Sequence, residues 1–142
     1  MKRVNENKKL LSKIFEMQCE ICKALGHPLR IAIVDMLKDS EASAADLIAE
    51  LGLSKANLSK HMGMLIHGGI VESRKEGRQI FYRLTDPDIH KACTIMRSIL
   101  YRRLKAGEKL ATAIHVAEPA SAKTRYIMSV IGYVSSWKSP TA

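Results

Sequence analysis

Apolar residues recur at intervals of three and four over most of the first hundred positions and switch to alternation over one short interval. Leu10, Ile14, Met17, Ile21 and Leu25 mark one seam and predict a helix over 8–25, with Phe15 and Cys22 on its flank and Cys19 nearly opposite. Gly26 ends it. His27-Pro28 opens a second helix with proline at the first helical position. Leu29, Ile31, Ile33, Val34, Met36 and Leu37 leave that helix apolar almost all round, the pattern of a buried central helix. Lys38 to Glu41 read as a loop.

The next stretch, Ser43 to Leu65, reads as two short helices around a tight joint at Gly52-Leu53-Ser54. Ser43 caps the first, with Asp46 three residues on, and Leu47, Ile48 and Leu51 supply its apolar side. Gly52 stands where a left-handed C-cap is wanted. Ser54 caps the second helix, whose apolar positions are Leu58, Met62, Leu65 and Ile66. Two helices so joined make a helix-turn-helix; an ordinary αα-hairpin uses the same geometry. Gly63, inside the second helix, costs about 1 kcal/mol relative to alanine.

After His67-Gly68-Gly69 the period changes to two. Val71 and Ser73 share one side, and Ile80, Tyr82 and Leu84 alternate with Gln79, Phe81 and Arg83. Arg74 to Arg78 form the turn, Gly77 supplying a positive φ. A hairpin with a basic tip directly after a helix-turn-helix reads as a wing, which would rest Arg74, Lys75 and Arg78 against a DNA backbone or minor groove. Thr85-Asp86-Pro87-Asp88 starts a last helix, expected to reach about Leu110. Its seam is Ile89, Cys93, Met96, Leu100 and Leu104, and Tyr101, Arg102, Arg103 and Lys105 crowd its far end. Two such seams, on the first and last helices, suggest a dimer interface; packing on the chain's own core is the alternative. The expected division is 1–111 as the DNA-binding and dimerisation unit and 112–142 as an extension. In the extension EPASAK is a linker, the stretch from Thr124 to Lys138 fits a helix or a strand, and the last residues are disordered.

Composition narrows the function. The chain has 142 residues, 46% of them hydrophobic, a formal net charge of +9 and a pI of about 9.6. Such a balance favours a polyanionic partner. Its distribution is sharper than its size. Residues 39–52 carry Asp39, Glu41, Asp46 and Glu50 and no Lys or Arg. Residues 54–83 carry Lys55, Lys60, Arg74, Lys75, Arg78 and Arg83 against Glu72 and Glu76, a net +4. The sign reverses at the turn into the second helix of the motif, as a helix meant for phosphates requires. No apolar run approaches the ~20 residues of a membrane span, and the basic N-terminus lacks a signal peptide's apolar centre. Three cysteines do not make a secreted disulfide framework. A cytoplasmic protein with no membrane partner is expected. With no general base, phosphate loop or carboxylate pair, an enzyme is not.

The order helix, helix, helix-turn-helix, basic hairpin, interface helix resembles the ArsR/SmtB family of winged-helix repressors. The match is carried by CKALGHPLRIAIVDML (22–37), LGLSKANLSKHMGML (51–65), GGIVESRKEGRQIFYRL (68–84) and the DPDI that follows, and it spans about 14–100. It implies a mainly α fold with a small β-hairpin, in the order α-α-α-α-β-β-α, dimeric through its first and last helices. It also implies a homodimeric repressor that leaves a palindromic operator in double-stranded DNA when an effector arrives. The DNA-contacting positions it implies are Ser54, Lys55, Ala56, Asn57, Ser59, Lys60 and His61, joined by the wing residues Arg74, Lys75 and Arg78. The chemistry agrees: lysine reaches phosphate or guanine, asparagine reads adenine bidentately, and serine serves either. His61 is expected as a support or a phosphate contact.

The family's sensor sites can be tested against these residues one by one. Its Cys-x-Cys thiolate site would fall at Ala42 to Asp46, which hold no cysteine. Its zinc site needs Asp-x-His and two further ligands. Asp88 and His90 match the first half, but the second falls at Tyr101 and Leu104, so zinc is not expected and His90 reads as a surface residue. Cys19 and Cys22 are neighbours one turn apart, and Cys93 lies on the last helix. Across a dimer these three could hold a thiophilic ion such as As(III), Cd(II) or Pb(II). They could instead form a redox or persulfide switch, or be small hydrophobes with no sensing role.

Overall fold

The computed structural model describes residues 1–105. In chain order it consists of α1 (Lys2–Leu25), α2 (Pro28–Met36), β1 (Ala42–Ser43), α3 (Ala44–Leu51), α4 (Lys55–His67), β2 (Val71–Glu76), β3 (Gln79–Leu84) and α5 (Asp88–Leu104). The winged helix-turn-helix order expected from the sequence is present, with one addition. The two-residue strand β1 pairs antiparallel with β3 (Ala42 opposite Tyr82, Ser43 opposite Phe81), giving a three-stranded sheet in the order β1-β3-β2. Two residues carry no period, so β1 had no signal in the sequence. The β2–β3 hairpin pairs Val71 with Leu84 through Glu76 with Gln79.

The local chemistry sets the boundaries. Ser43 Oγ accepts from the Asp46 amide at 3.0 Å and donates to the Asp46 carboxylate at 2.6 Å, which fixes the start of α3. Gly52 closes α3 at φ 62°, where a side chain would be strained. Ser54 Oγ accepts from the Asn57 amide at 3.1 Å and starts α4. His27 caps α2, its Nδ1 accepting from the Leu29 amide at 3.1 Å, with Pro28 at the first position. The Asp86 carboxylate accepts from the Asp88 amide at 2.8 Å at the start of α5.

The core is built from Ile33 and Val34 of α2, Leu47 and Leu51 of α3, and Met62 and Leu65 of α4, together with Ile70 and Val71 at the entry to the hairpin. Ala24 at the end of α1 joins it where α1 meets α4. The first helix starts at Lys2, earlier than the seam required. Three expectations of burial change, and one further side chain is unexpectedly buried. Ile31 of α2 and Ile66 of α4 are exposed rather than inward. Arg30 is buried instead: its Nε donates to the Ala24 carbonyl at 2.5 Å and so satisfies the end of α1. His90 is half-buried and not a surface residue, because it pairs with Asp35 at 3.0 Å. The end of the last helix beyond Leu104, the linker and the whole of 112–142 lie outside the described residues. No helix among the described residues is long and apolar enough to cross a membrane.

The expected seam of α1 faces solvent: Leu10, Ile14, Met17 and Ile21 are 62%, 49%, 60% and 44% exposed. On α5 Met96 and Leu100 are exposed as well, and no residue of that helix is fully buried.

Candidate nucleic-acid interface

Helix α4 is amphipathic. Leu58, His61, Met62 and Leu65 enter the core, while Lys55, Ala56, Asn57, Ser59, Lys60 and Gly63 face out. With Ser54 included, seven of the ten residues from 54 to 63 are therefore available around its N-terminal part. The Ser54 hydroxyl accepts from the Asn57 amide and keeps its own proton to donate. The free amides of this first turn favour an anion.

The wing is less uniformly basic than its sequence. Arg74 donates to Glu41 through Nε at 2.9 Å and Nη2 at 2.5 Å, pairs with Glu76 through Nη1, and stacks over the Phe81 ring at 4.5 Å. The Glu41 hydrogen bond and then that of Glu76 push its pKa further up, and Arg74 in turn holds the Glu41 carboxyl below its usual range. Arg83 pairs with its cross-strand neighbour Glu72 at 2.5 Å. Lys55, Lys60, Lys75 and Arg78 form no ion pair among the described residues. The net +4 of 54–83 is thus carried by two lysines on α4 and two cations at the hairpin tip. Glu41, thirty-three residues from Arg74, could be connected to the wing only through the fold.

His61 stands apart from the other α4 positions. It is 6% exposed, with its ring 4.5 Å from that of His27 and its Nδ1 without a hydrogen-bond partner. Burial first, then the neighbouring charges of His27, Arg30 and Lys60, push its pKa down to about 4. Of the two roles expected for it, the phosphate contact fails because the ring points into the core. It supports α4 from beneath.

Cys19 and Cys22 are exposed on α1, and Cys93 is half-buried on α5. Burial pushes the Cys93 thiol up; Arg97 opposes this and Asp35 reinforces it. Asp88 pairs with Lys91 at 2.5 Å and His90 with Asp35, so both residues of the first half of the zinc pattern are engaged in ion pairs within the chain. Among the described residues no group of three or more His, Cys, Asp or Glu side chains could hold a metal ion.

One residue of this region escaped the sequence reading. Asp35 is the sole acid in the apolar run of α2, and its Oδ1 meets both His90 Nε2 at 3.0 Å and Arg97 Nη2 at 3.3 Å. A lone acid in a mostly apolar helix is the signal for it.

Comparison with known proteins agrees with this geometry. Residues 25–74 match the family described as a helix-turn-helix domain. The biofilm growth-associated repressor of Xylella fastidiosa is 38% identical over 91 residues, covering 64% of this chain and 76% of that protein. The HTH-type transcriptional repressor SmtB of Mycobacterium tuberculosis is 34% identical over 74 residues, covering 52% and 55%. The crystal structure of Rv0081 from M. tuberculosis superposes with a TM-score of 0.59 at 32% identity, covering 66% of this chain and 94% of that one. The relatives are named as transcriptional regulators or repressors. With its helix order, its wing and these likenesses, the chain belongs to the ArsR/SmtB family of winged helix-turn-helix transcriptional regulators.

Proposed function

We propose that the chain is a homodimeric, sequence-specific repressor that binds an inverted-repeat operator in double-stranded DNA and leaves it when an effector arrives. The observation that carries the DNA reading is the set of uncompensated cations: Lys55 and Lys60 beside Asn57 and Ser59 on the outer face of α4, and Lys75 and Arg78 at the hairpin tip. Lysines place the helix on phosphates, and Asn57 can read an adenine edge. Support for the homodimer comes from the bare seams of α1 and α5. Leucine, isoleucine and methionine at a period of three and four, left in water along two helices, are the pattern of an unfilled interface.

The test is selection from a randomised double-stranded library. The enriched duplex is expected to be an inverted repeat with half-sites about one helical turn apart, bound with steep salt dependence. Enrichment of no repeat would remove the operator reading.

For the effector, the reading is a thiophilic ion such as As(III), Cd(II) or Pb(II) held by Cys19, Cys22 and Cys93, with two subunits contributing. Cys19 and Cys22 support it by being exposed and one turn apart. The half-buried, raised thiol of Cys93 favours a second reading in which Cys93 only packs and the repressor uses no thiol effector, or uses the exposed pair as a redox or persulfide switch. Arsenite titration of the reduced protein separates them. A thiolate-to-arsenic absorption band lost on Cys93→Ser supports the three-thiol site, and no band removes it.

A further inference from the structure

Helix α5 has no fully buried residue. Ile89 and Cys93 rest half-buried against the core, and a polar attachment joins the helix to α2. Asp35 supplies that attachment. Its side chain is 16% exposed, and one oxygen receives His90 at 3.0 Å and Arg97 at 3.3 Å. His90 and Arg97 are seven residues apart, so a single carboxylate spans two turns of α5, with Cys93 between them. Burial alone would raise the pKa of this acid. The His90 hydrogen bond and the charges of Arg97 and Lys38 reverse that, and the carboxyl stays below its usual range. The charge is therefore kept and used.

We propose that Asp35 is a positioning residue for DNA reading: by clamping His90 and Arg97 it fixes the angle of α5 against the winged-helix body, and through α5 the separation of the two α4 helices in the dimer. The inference rests on the homodimeric operator reading above. The lever is long enough. Helix α5 has 17 residues, about 25 Å at 1.5 Å per residue, so a tilt of roughly 10° at its base moves its far end by about 4 Å. That exceeds the ~3.4 Å rise of one base pair. A clamp lost at one end of α5 is felt as a change in half-site spacing, whereas simple loss of stability is not.

The experiment uses the duplex that the full-length wild-type protein selects from a random library, with derivatives in which the centre is lengthened or shortened by one and two base pairs. The wild type is expected to lose about tenfold in affinity for each altered spacing. Asp35→Asn and Arg97→Gln are expected to bind the selected duplex about tenfold more weakly and to bind all spacings within about threefold of one another. Their affinity for an isolated half-site and their dimeric mass in light scattering should stay at the wild-type values. Should Asp35→Asn fail to fold, Arg97→Gln, which removes only the more exposed partner, carries the test alone. Variants that keep the wild-type spacing preference overturn the inference while leaving the operator reading intact. A wild type with no spacing preference overturns both.

Discussion

His61 lies in α4 yet serves the core, its Nδ1 without a partner among the described residues and the ring of His27 beside it. Its ordinary pKa of 6.5 falls to about 4 in the fold, burial being the largest cause, and His27 shifts in the same direction. A histidine that resists protonation when folded takes up its proton more readily when unfolded. Stability is then full above pH 6.5 and is lost progressively as pH falls from 6.5 toward 4. Thermal melts should show a Tm that is flat above neutrality and declines through that window, and His61→Phe should flatten the decline. An unchanged slope in the variant would assign the acid sensitivity to other groups. At this scale the sequence was legible where a residue acts through its neighbours in the chain. Ser43, Gly52 and Ser54 were readable as caps because a cap is a local device. The partners of His61, Asp35 and Arg74 were not, since they come from elements 33 to 62 residues away.

Elements were legible where they carry a period. Helices α2, α3 and α4 and the β2–β3 hairpin fall close to where apolar spacing and turn residues place them, whereas β1 is too short to have a pattern and exists because β3 offers an open edge. The two glycines of the α4 segment show how one residue type does opposite work. A Cβ on Gly63 would meet nothing within 4 Å, while one on Gly68 would collide with the Ala24 side chain where α1 meets α4. Gly63→Ala should therefore raise the unfolding free energy by up to about 1 kcal/mol, the helix-propensity gain. Gly68→Ala should lower it by about 1–3 kcal/mol by overpacking the α1–α4 junction. Urea denaturation of the two variants measures both; equal effects of the same sign would contradict the packing described.

At the scale of the whole molecule the exposed seams matter most. The period of α1 and α5 is plain in the sequence, but it does not say what covers those seams; the proposed homodimer assigns them to a second chain. Met17→Asp would place a charge in the α1 seam, and the variant is expected to sediment as a monomer and to lose affinity for a two-half-site duplex while keeping its helical circular dichroism. A variant that stays dimeric would move the interface off this face.

Reading of DNA by α4 and the hairpin tip is tested by competition binding on the selected duplex. Wild type, Asn57→Ala and Lys60→Ala are compared against a scrambled duplex over a range of salt. Lys60→Ala is expected to weaken both duplexes alike and to reduce the salt slope by about 1, as loss of a phosphate contact does. Asn57→Ala is expected to cost about 1–3 kcal/mol on the selected duplex alone, collapsing discrimination without changing the slope. Wild-type affinity, slope and discrimination in both variants would contradict the assignment of α4 as the reader.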